Sequence, residues 1–390
     1  MTRPVPALAF VESPVQLLNV LEWAHGHAGP AAARPPLLDG IPGQGGRCAA
    51  HAHAAGAEPE APGLRIVVLP PTDPMSRGQL RRMAGLARDE GHQVQWQEAR
   101  GGGLAPLKAL AALARDVRAA RTVVVGDPFS RYVQLLLTLV RAEELVVVDD
   151  GTATMEFITQ TARGERLVRW HRVGGGGLPG RVRELAYAPV SAAARRRFRP
   201  AGATGRGARR VEVFTSMPVT AHSGMTLRVN DFSWTRARFG PPRLTRGADL
   251  VGTSLVETGV VEPDRYLEAV RALAEEHGAT RYFAHRRESP EKLRALSEAT
   301  GLEIVRPDLP LELIARRGPV GRTIISFPST VVHTLPYALS GTGVTVAVCD
   351  VDPGWLTGSA SPRARGFLAG VTETARDVRR LPARAASSAG

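Results

Sequence analysis

Lysine is almost missing from this chain: of its 50 Lys and Arg residues, Lys108 and Lys292 are the only lysines. The formal charge of +13 therefore comes from arginine, a bias that a GC-rich genome produces as readily as a binding need. Cysteine is nearly absent as well. Cys48 and Cys349 stand far apart and form no CxxC pair, which argues against a disulfide framework and a sulfur-ligated zinc site. Aromatic residues make up only 5% of the chain and do not interleave its basic runs. With no RRM, KH or zinc-finger signature either, specific nucleic-acid recognition is not expected. No apolar run reaches the ~18 to 20 residues that span a bilayer. The opening "MTRPVPALAFVESPVQ" has too short an apolar core and no small-residue cleavage site for a signal peptide. A cytoplasmic protein is the expectation.

What is present is a globular composition, 43% hydrophobic and 22% charged, in 390 residues, enough for two domains of common size. The stretch "ELVVVDDGTATMEF" (144–157) sets the theme: a run of β-branched residues reads as a buried parallel strand and ends on two carboxylates and a glycine. Strand-like and helix-like segments alternate around it. "PALAFVES" precedes the helical spacing of Val15, Leu18 and Leu21; "LRIVVLP", the edge-like "HQVQWQE", "RTVVVGDP" and "ELVVVDDG" follow, separated by amphipathic helices. That order implies βαβ units and a mostly parallel sheet.

Residues 26–62 are rich in Ala, Pro, Gly and His without periodicity and read as a flexible insertion. His51 and His53 stand there without further ligands, as in a polar loop rather than a metal site. The first Rossmann-like domain is set at 1–173. A Gly/Arg-rich stretch, 174–210, reads as a linker, a crossover or a mobile loop, its basic part from Arg195 to Arg210 solvated in the first instance and otherwise facing a membrane or an anionic acceptor. A second alternating series, 211–360, begins with "RVEVFTS". Its helix "EPDRYLEAVRALAEEHG" is closed by Gly278, and "SPEKLRALSEATG" is opened by Ser289 and Pro290 and closed by Gly301. Residues 361–390 read as a tail, with a helix crossing back or a frayed end after Pro362. The fold class is α/β, and two Rossmann-like halves in series resemble the GT-B architecture, which implies two domains facing a central cleft with a donor nucleotide mainly on the C-terminal half.

Ligands of open parallel sheets sit beyond the carboxyl ends of the strands. Four stretches meet that condition: "ESPVQ" (12–16), "DDGT" (149–152), "AHRRE" (284–288) and "SFPST" (326–330). Successive side chains alternate faces, so one of Asp149 and Asp150 can serve as a general base while the other supports the turn that Gly151 permits. His285 can hold a phosphate oxygen, and Arg286 and Arg287 offer bidentate forks for anions. Ser329 and Thr330 open a helix, where hydroxyls and backbone N–H groups bind phosphate. "SMPVTAHSGMTLRVNDF" holds His222 and Asn230 as further candidates for substrate contact.

In this order, Asp149-Asp150-Gly151, His285 and Ser329-Thr330 resemble the bacterial sialyltransferases, in particular glycosyltransferase family 52 and the capsule polysialyltransferases. Those carry a (D/E)(D/E)G motif, an HP motif and a downstream Ser-Ser/Thr motif. The early "ESPVQLLN" resembles their start, and Arg286 stands where they carry proline. The resemblance implies an inverting GT-B transferase without a metal or other cofactor, moving a nonulosonic acid from a CMP-activated donor to a cell-surface glycan or glycolipid. Asp149 or Asp150 would be the base and His285 the donor or acid on the leaving phosphate. Arg286, Arg287, Ser329 and Thr330 would bind the donor, and Ser13, Gln16 and Gly151 would line the acceptor side. The cytoplasmic expectation fits such an enzyme, and the basic region from Arg195 to Arg210 adds peripheral contact with the inner face of the plasma membrane as a secondary expectation. Competing readings are a UDP-sugar transferase or epimerase, with Asp350 or Asp352 on the ribose, a non-catalytic binder of anions or nucleic acid, and a degenerate transferase serving as a scaffold.

Overall fold

The structure, a computed structural model, describes residues 7–28, 64–100, 105–169, 178–199, 209–222 and 224–383. Most of the expected 26–62 insertion, including Cys48, His51 and His53, lies outside the described residues, as do the glycines at 174–177. The first sheet contains β1 (Ala7–Val11), β2 (Leu64–Val68), β3 (Gln93–Trp96), β4 (Thr122–Val125), β5 (Glu144–Val148), β6 (Arg210–Thr215) and β7 (Met225–Val229). Its order is β3-β2-β1-β4-β5-β6-β7, every pair parallel. The helices between these strands are α1 (Pro14–Ala28), α2 (Pro74–Asp89), α3 (Ala105–Ala119), α4 (Arg131–Leu139), α5 (Thr152–Ala162) and α6 (Leu178–Arg197).

The short α7 (Ser233–Arg238) leads into a second sheet made of β8 (Leu244–Val251), β9 (Ala279–Phe283), β10 (Glu303–Val305), β11 (Val320–Ser326), β12 (Thr345–Cys349) and β13 (Arg379–Leu381). Its order is β10-β9-β8-β11-β12-β13, again all parallel. Helices α8 (Pro263–His277), α9 (Pro290–Thr300), α10 (Leu311–Arg317), α11 (Val331–Ala338) and α12 (Pro362–Thr374) complete this half. Both sheets reverse strand order beside their first strand, between β1 and β4 and between β8 and β11, which is where a doubly wound sheet opens a ligand crevice. Their strand exits share one cleft. This is the GT-B arrangement.

Valine-rich strands suit the centre of such a sheet because both faces are covered. In β5, Leu145 and Val147 join one core with Phe10, Leu136 and Phe157, while Val146 and Val148 join the opposite core with Leu17, Leu21 and Met83. Helix limits follow the local chemistry. Ser289 accepts the Lys292 N–H at 3.1 Å ahead of Pro290, and Gly278 and Gly301 end α8 and α9 in the left-handed conformation.

The expected domain boundary is corrected, and the stretches on either side of it are filled in. The stretch 174–210 contains α6, a crossover helix between β5 and β6: "AYAPVSAAARRR" is alanine-rich and forms its end, with Ala194 in the first core and Phe198 just beyond also packed there. Residues 211–229, expected to open the second domain, form the last strands of the first sheet. A strand's apolar pattern reports burial but not its neighbour, and "RVEVFT" pairs with β5. The second sheet begins only at Leu244, and the tail, where a helix after Pro362 is one expectation, holds α12 and also supplies the edge strand β13.

Candidate active site

The cleft between the sheets has a volume of about 410 Å³. Ser13, Asp149, Asp150, Gly151, His285, Arg286, Ser329 and Thr330 all line it, so eight of the ten residues to which the resemblance gives a role come together there. The contact across it is close. Gly151 has φ +63°, and a Cβ added to it would lie 3.0 Å from Thr330 Cγ2, so the DDG turn of one domain abuts the Ser-Thr start of α11 in the other. A side chain at 151 would be strained and would also fill this contact.

Gln16 and Arg287 stand outside the lining. Gln16 is buried in α1, where its Oε1 accepts the Glu12 N–H at 2.7 Å and its side chain hydrogen-bonds Asp150. Arg287 is exposed, and its contribution is a backbone N–H donated to His285 Nδ1 at 3.2 Å. Ser13 caps α1 by accepting the Gln16 N–H at 3.2 Å. Asn230 is fully buried and linked to Asn19, and His222 pairs with Thr161, which accounts for both structurally. Asp352 caps a 3-10 turn by accepting the Gly354 N–H, and neither it nor Asp350 lines the cleft.

No family model matches the chain, and no curated protein does. Among solved structures, the α/β-galactoside α-2,3-sialyltransferase of the luminous marine bacterium Photobacterium phosphoreum superposes with a TM-score of 0.48 at 8% identity, over 96% of this chain and 98% of that one. The GT-B domain of a Photobacterium damselae sialyltransferase gives 0.44 at 10% identity, over 96% and 99%. A putative UDP-N-acetylglucosamine 2-epimerase from Listeria monocytogenes gives 0.42 at 11%, over 89% and 79%. What they share with this chain is the fold.

The carboxylates of the two adjacent aspartates have different partners. Asp149 is 2% exposed, and both its oxygens are engaged: Oδ1 accepts from the Gly151 N–H at 3.0 Å and the Thr154 hydroxyl at 2.8 Å, Oδ2 from the N–H and hydroxyl of Ser216 at 3.3 and 3.2 Å. It ties β5 to the end of β6. Asp150 instead meets Arg169 at 3.0 Å, and its carboxyl is pushed up to about 7 by burial and by the nearby Asp127 carboxylate, against the opposing pull of Arg169, Arg286 and Gln16. A proton acceptor near neutrality is what a general base requires.

Across the cleft, burial and the surrounding Arg286, Arg287 and Lys292 push the His285 imidazole down to about 4. It is neutral at physiological pH. Because Nδ1 accepts the Arg287 N–H, the ring proton belongs on Nε2, which makes that nitrogen a hydrogen-bond donor. Thr330 occupies the N-cap position of α11, yet its hydroxyl makes no capping bond, and Ser329 Oγ lies 3.2 Å from Ser326 Oγ.

Several supporting residues were not singled out in the sequence. Glu288 accepts the His285 N–H at 2.6 Å, the Tyr282 hydroxyl at 2.5 Å and Lys292 Nζ at 2.7 Å. Lys292 also donates to Thr253 O at 3.1 Å and lies 4.0 Å above the Tyr266 ring. Glu312, buried in α10, lines the cleft while accepting the Thr334 hydroxyl at 2.6 Å. Only the "HRRESPEK" spacing, with Glu288 and Lys292 four apart on a helix entry, could have pointed to any of these.

The basic stretch is largely tied down where it is described. Arg195 donates to Gly164 O, Arg197 to Thr138 O at 3.0 Å and Arg209 to Ala142 O at 3.1 Å, so these expected membrane-facing arginines bind backbone carbonyls of the first domain. Among the described residues no helix is long and apolar enough to cross a membrane, and no three metal-ligating side chains converge.

Proposed function

We propose that this protein is an inverting glycosyltransferase of the sialyltransferase type, transferring a nonulosonic acid from a CMP-activated donor to a cell-surface glycan or glycolipid without a metal. The observation that carries this reading is the convergence of Asp150 from the first sheet with His285, Arg286, Ser329 and Thr330 from the second on one cleft.

In the reaction so assigned, an acceptor hydroxyl oxygen forms a bond to the anomeric carbon as Asp150 takes its proton. The bond from that carbon to the phosphate oxygen breaks, and the electron pair leaves on CMP. In this reading His285 Nε2–H and the hydroxyls of Ser329 and Thr330 donate to that phosphate, while Arg286 meets the sugar carboxylate or the phosphate itself. Arg286 lines the cleft and lies near enough to act electrostatically on Asp150. Its guanidinium at the motif's proline position adds a cation to the donor side. The Glu312 carboxylate, on the same wall, is an acceptor suited to ribose hydroxyls. Asp149 keeps the turn in shape.

The test is thermal unfolding with CMP, CDP, UMP, UDP and GDP in parallel, in EDTA. Stabilisation by CMP, reduced in His285→Ala, is the expected result. Stabilisation by UDP or GDP in place of CMP would move the donor to another class, and no response to any nucleotide would overturn the transferase reading.

A further inference from the structure

Asp150 is held from behind by residues that do not touch the cleft. Arg169, in the segment after α5, places Nη2 2.9 Å from Asp127 Oδ2 and 3.0 Å from Asp150 Oδ2. The two hydrogens of that amino group can serve both carboxylates, one each. Asp127 is itself fixed, since its Oδ1 accepts the Phe129 N–H at 2.9 Å in the turn between β4 and α4. It is 8% exposed, and Arg169 stacks over the Phe129 ring at 5.9 Å. This assembly lies beyond the carboxyl ends of β4 and β5, which are neighbours in the first sheet.

The charges facing Asp150 come from each packed element. Asp127 approaches from the β4 exit, Arg169 from the segment after α5 and Arg286 from the second domain, while α1 contributes the neutral Gln16. Beyond Asp127, Glu12 is paired with Arg100 at 2.8 Å and accepts the Ser130 hydroxyl at 2.6 Å. With both aspartates ionised, two carboxylates share one guanidinium, and this trio carries a net negative charge in a buried place. Such a group retains an added proton far more readily than an isolated Asp–Arg pair.

We propose that Asp127 and Arg169 are a positioning pair for Asp150, Arg169 holding its Oδ2 in place and Asp127 supplying the second negative charge that lets the trio keep a proton taken from the acceptor. This rests on Asp150 being the base. The two residues act through Asp150 and touch no substrate.

The pair has a signature that simple structural damage lacks, because its members pull in opposite directions. In protein carrying ¹³C-carboxyl-labelled aspartate, the Asp150 resonance is assigned by its loss in Asp150→Asn and titrated. Asp127→Asn is expected to lower its midpoint by about one pH unit or more, and Arg169→Gln to raise it by a similar amount. Arg169→Lys, which keeps the charge on a shorter reach, should fall between and serves if the Gln variant does not fold. An Asp150 that titrates in the ordinary carboxylate range in the parent protein, or that moves the same way or not at all in both variants, overturns the proposal. The same proteins are then assayed for CMP release from CMP-sialic acid, where the acid limb of kcat should follow the titration with KM little changed. Absence of CMP release alongside opposite titration shifts would remove the donor assignment and support the pair.

Discussion

A buried carboxylate whose oxygens are both taken by donors cannot accept a proton without losing one of those bonds, and Asp149 accepts from Gly151, Thr154 and Ser216. Replacing it by alanine leaves those donors unpaired, at roughly 1 to 3 kcal/mol for each one that stays buried, so Asp149→Ala is expected to lower stability measured by urea unfolding. Asp150→Asn should instead fold normally, keep the stabilisation by CMP, and lose about 10²- to 10⁴-fold in turnover. An alternating-face rule showed in advance that the two must differ, but which one is tied to the neighbouring strand and which meets an arginine depended on Ser216 and Arg169, whose positions the local sequence does not give. Gly252 is a similar case. A Cβ there would fall 2.1 Å from Glu288 Oε2, so Gly252→Ala is expected to displace the carboxylate that holds the His285 N–H and to reduce the thermal shift given by CMP.

At the scale of elements, α1 does more than cover a sheet. Gln16, Asn19 and Glu22 recur every three residues along one buried face. Gln16 meets Asp150, and Asn19 donates to Asp149 O at 2.8 Å while accepting from Asn230 at 2.9 Å. Glu22 accepts the N–H groups of Trp234 and Thr235 at 2.8 and 3.0 Å, so the same helix that supports the DDG turn anchors the connector between the domains. Burial raises the Glu22 carboxyl to about 7 from an ordinary 4.5. A folded-state value above the unfolded one means the contribution is fully present below pH ~4.5 and is lost as pH rises through about 7. Glu22→Gln should remove this loss, so its melting temperature relative to the parent is expected to be higher at pH 7.5 than at pH 4.5; an unchanged difference would contradict the assignment. The "ESPVQLLN" stretch is visible in the sequence as a strand exit and a helix. Its polar face is not, because the partners of Asn19 and Glu22 are more than a hundred residues away.

Across the whole molecule, one core passes from the first domain into the second. Leu309, Leu313 and Ala338 pack with Leu17, Leu21, Val146 and Trp234 in a single apolar cluster, and Arg363 on α12 reaches back to Glu156 on α5 at 3.7 Å. The two halves are therefore expected to unfold in one calorimetric transition. Leu313→Ala, at a fully buried position, should cost about 2 to 5 kcal/mol and lower that transition as a unit, and two separate peaks in the parent protein would contradict the shared core. Alternating strands and helices made both Rossmann-like halves legible, yet the boundary was placed too early, because an apolar strand carries no label saying which sheet it joins. The scarcity of lysine also has a use. Lys292 is locked between Glu288 and Glu257 over Tyr266, whereas Lys108 on α3 is exposed and does not line the cleft. Lys108 is thus the one open side-chain amine in the sequence, a ready tether through which the protein can be fixed to a sensor surface in a single orientation with its cleft left free.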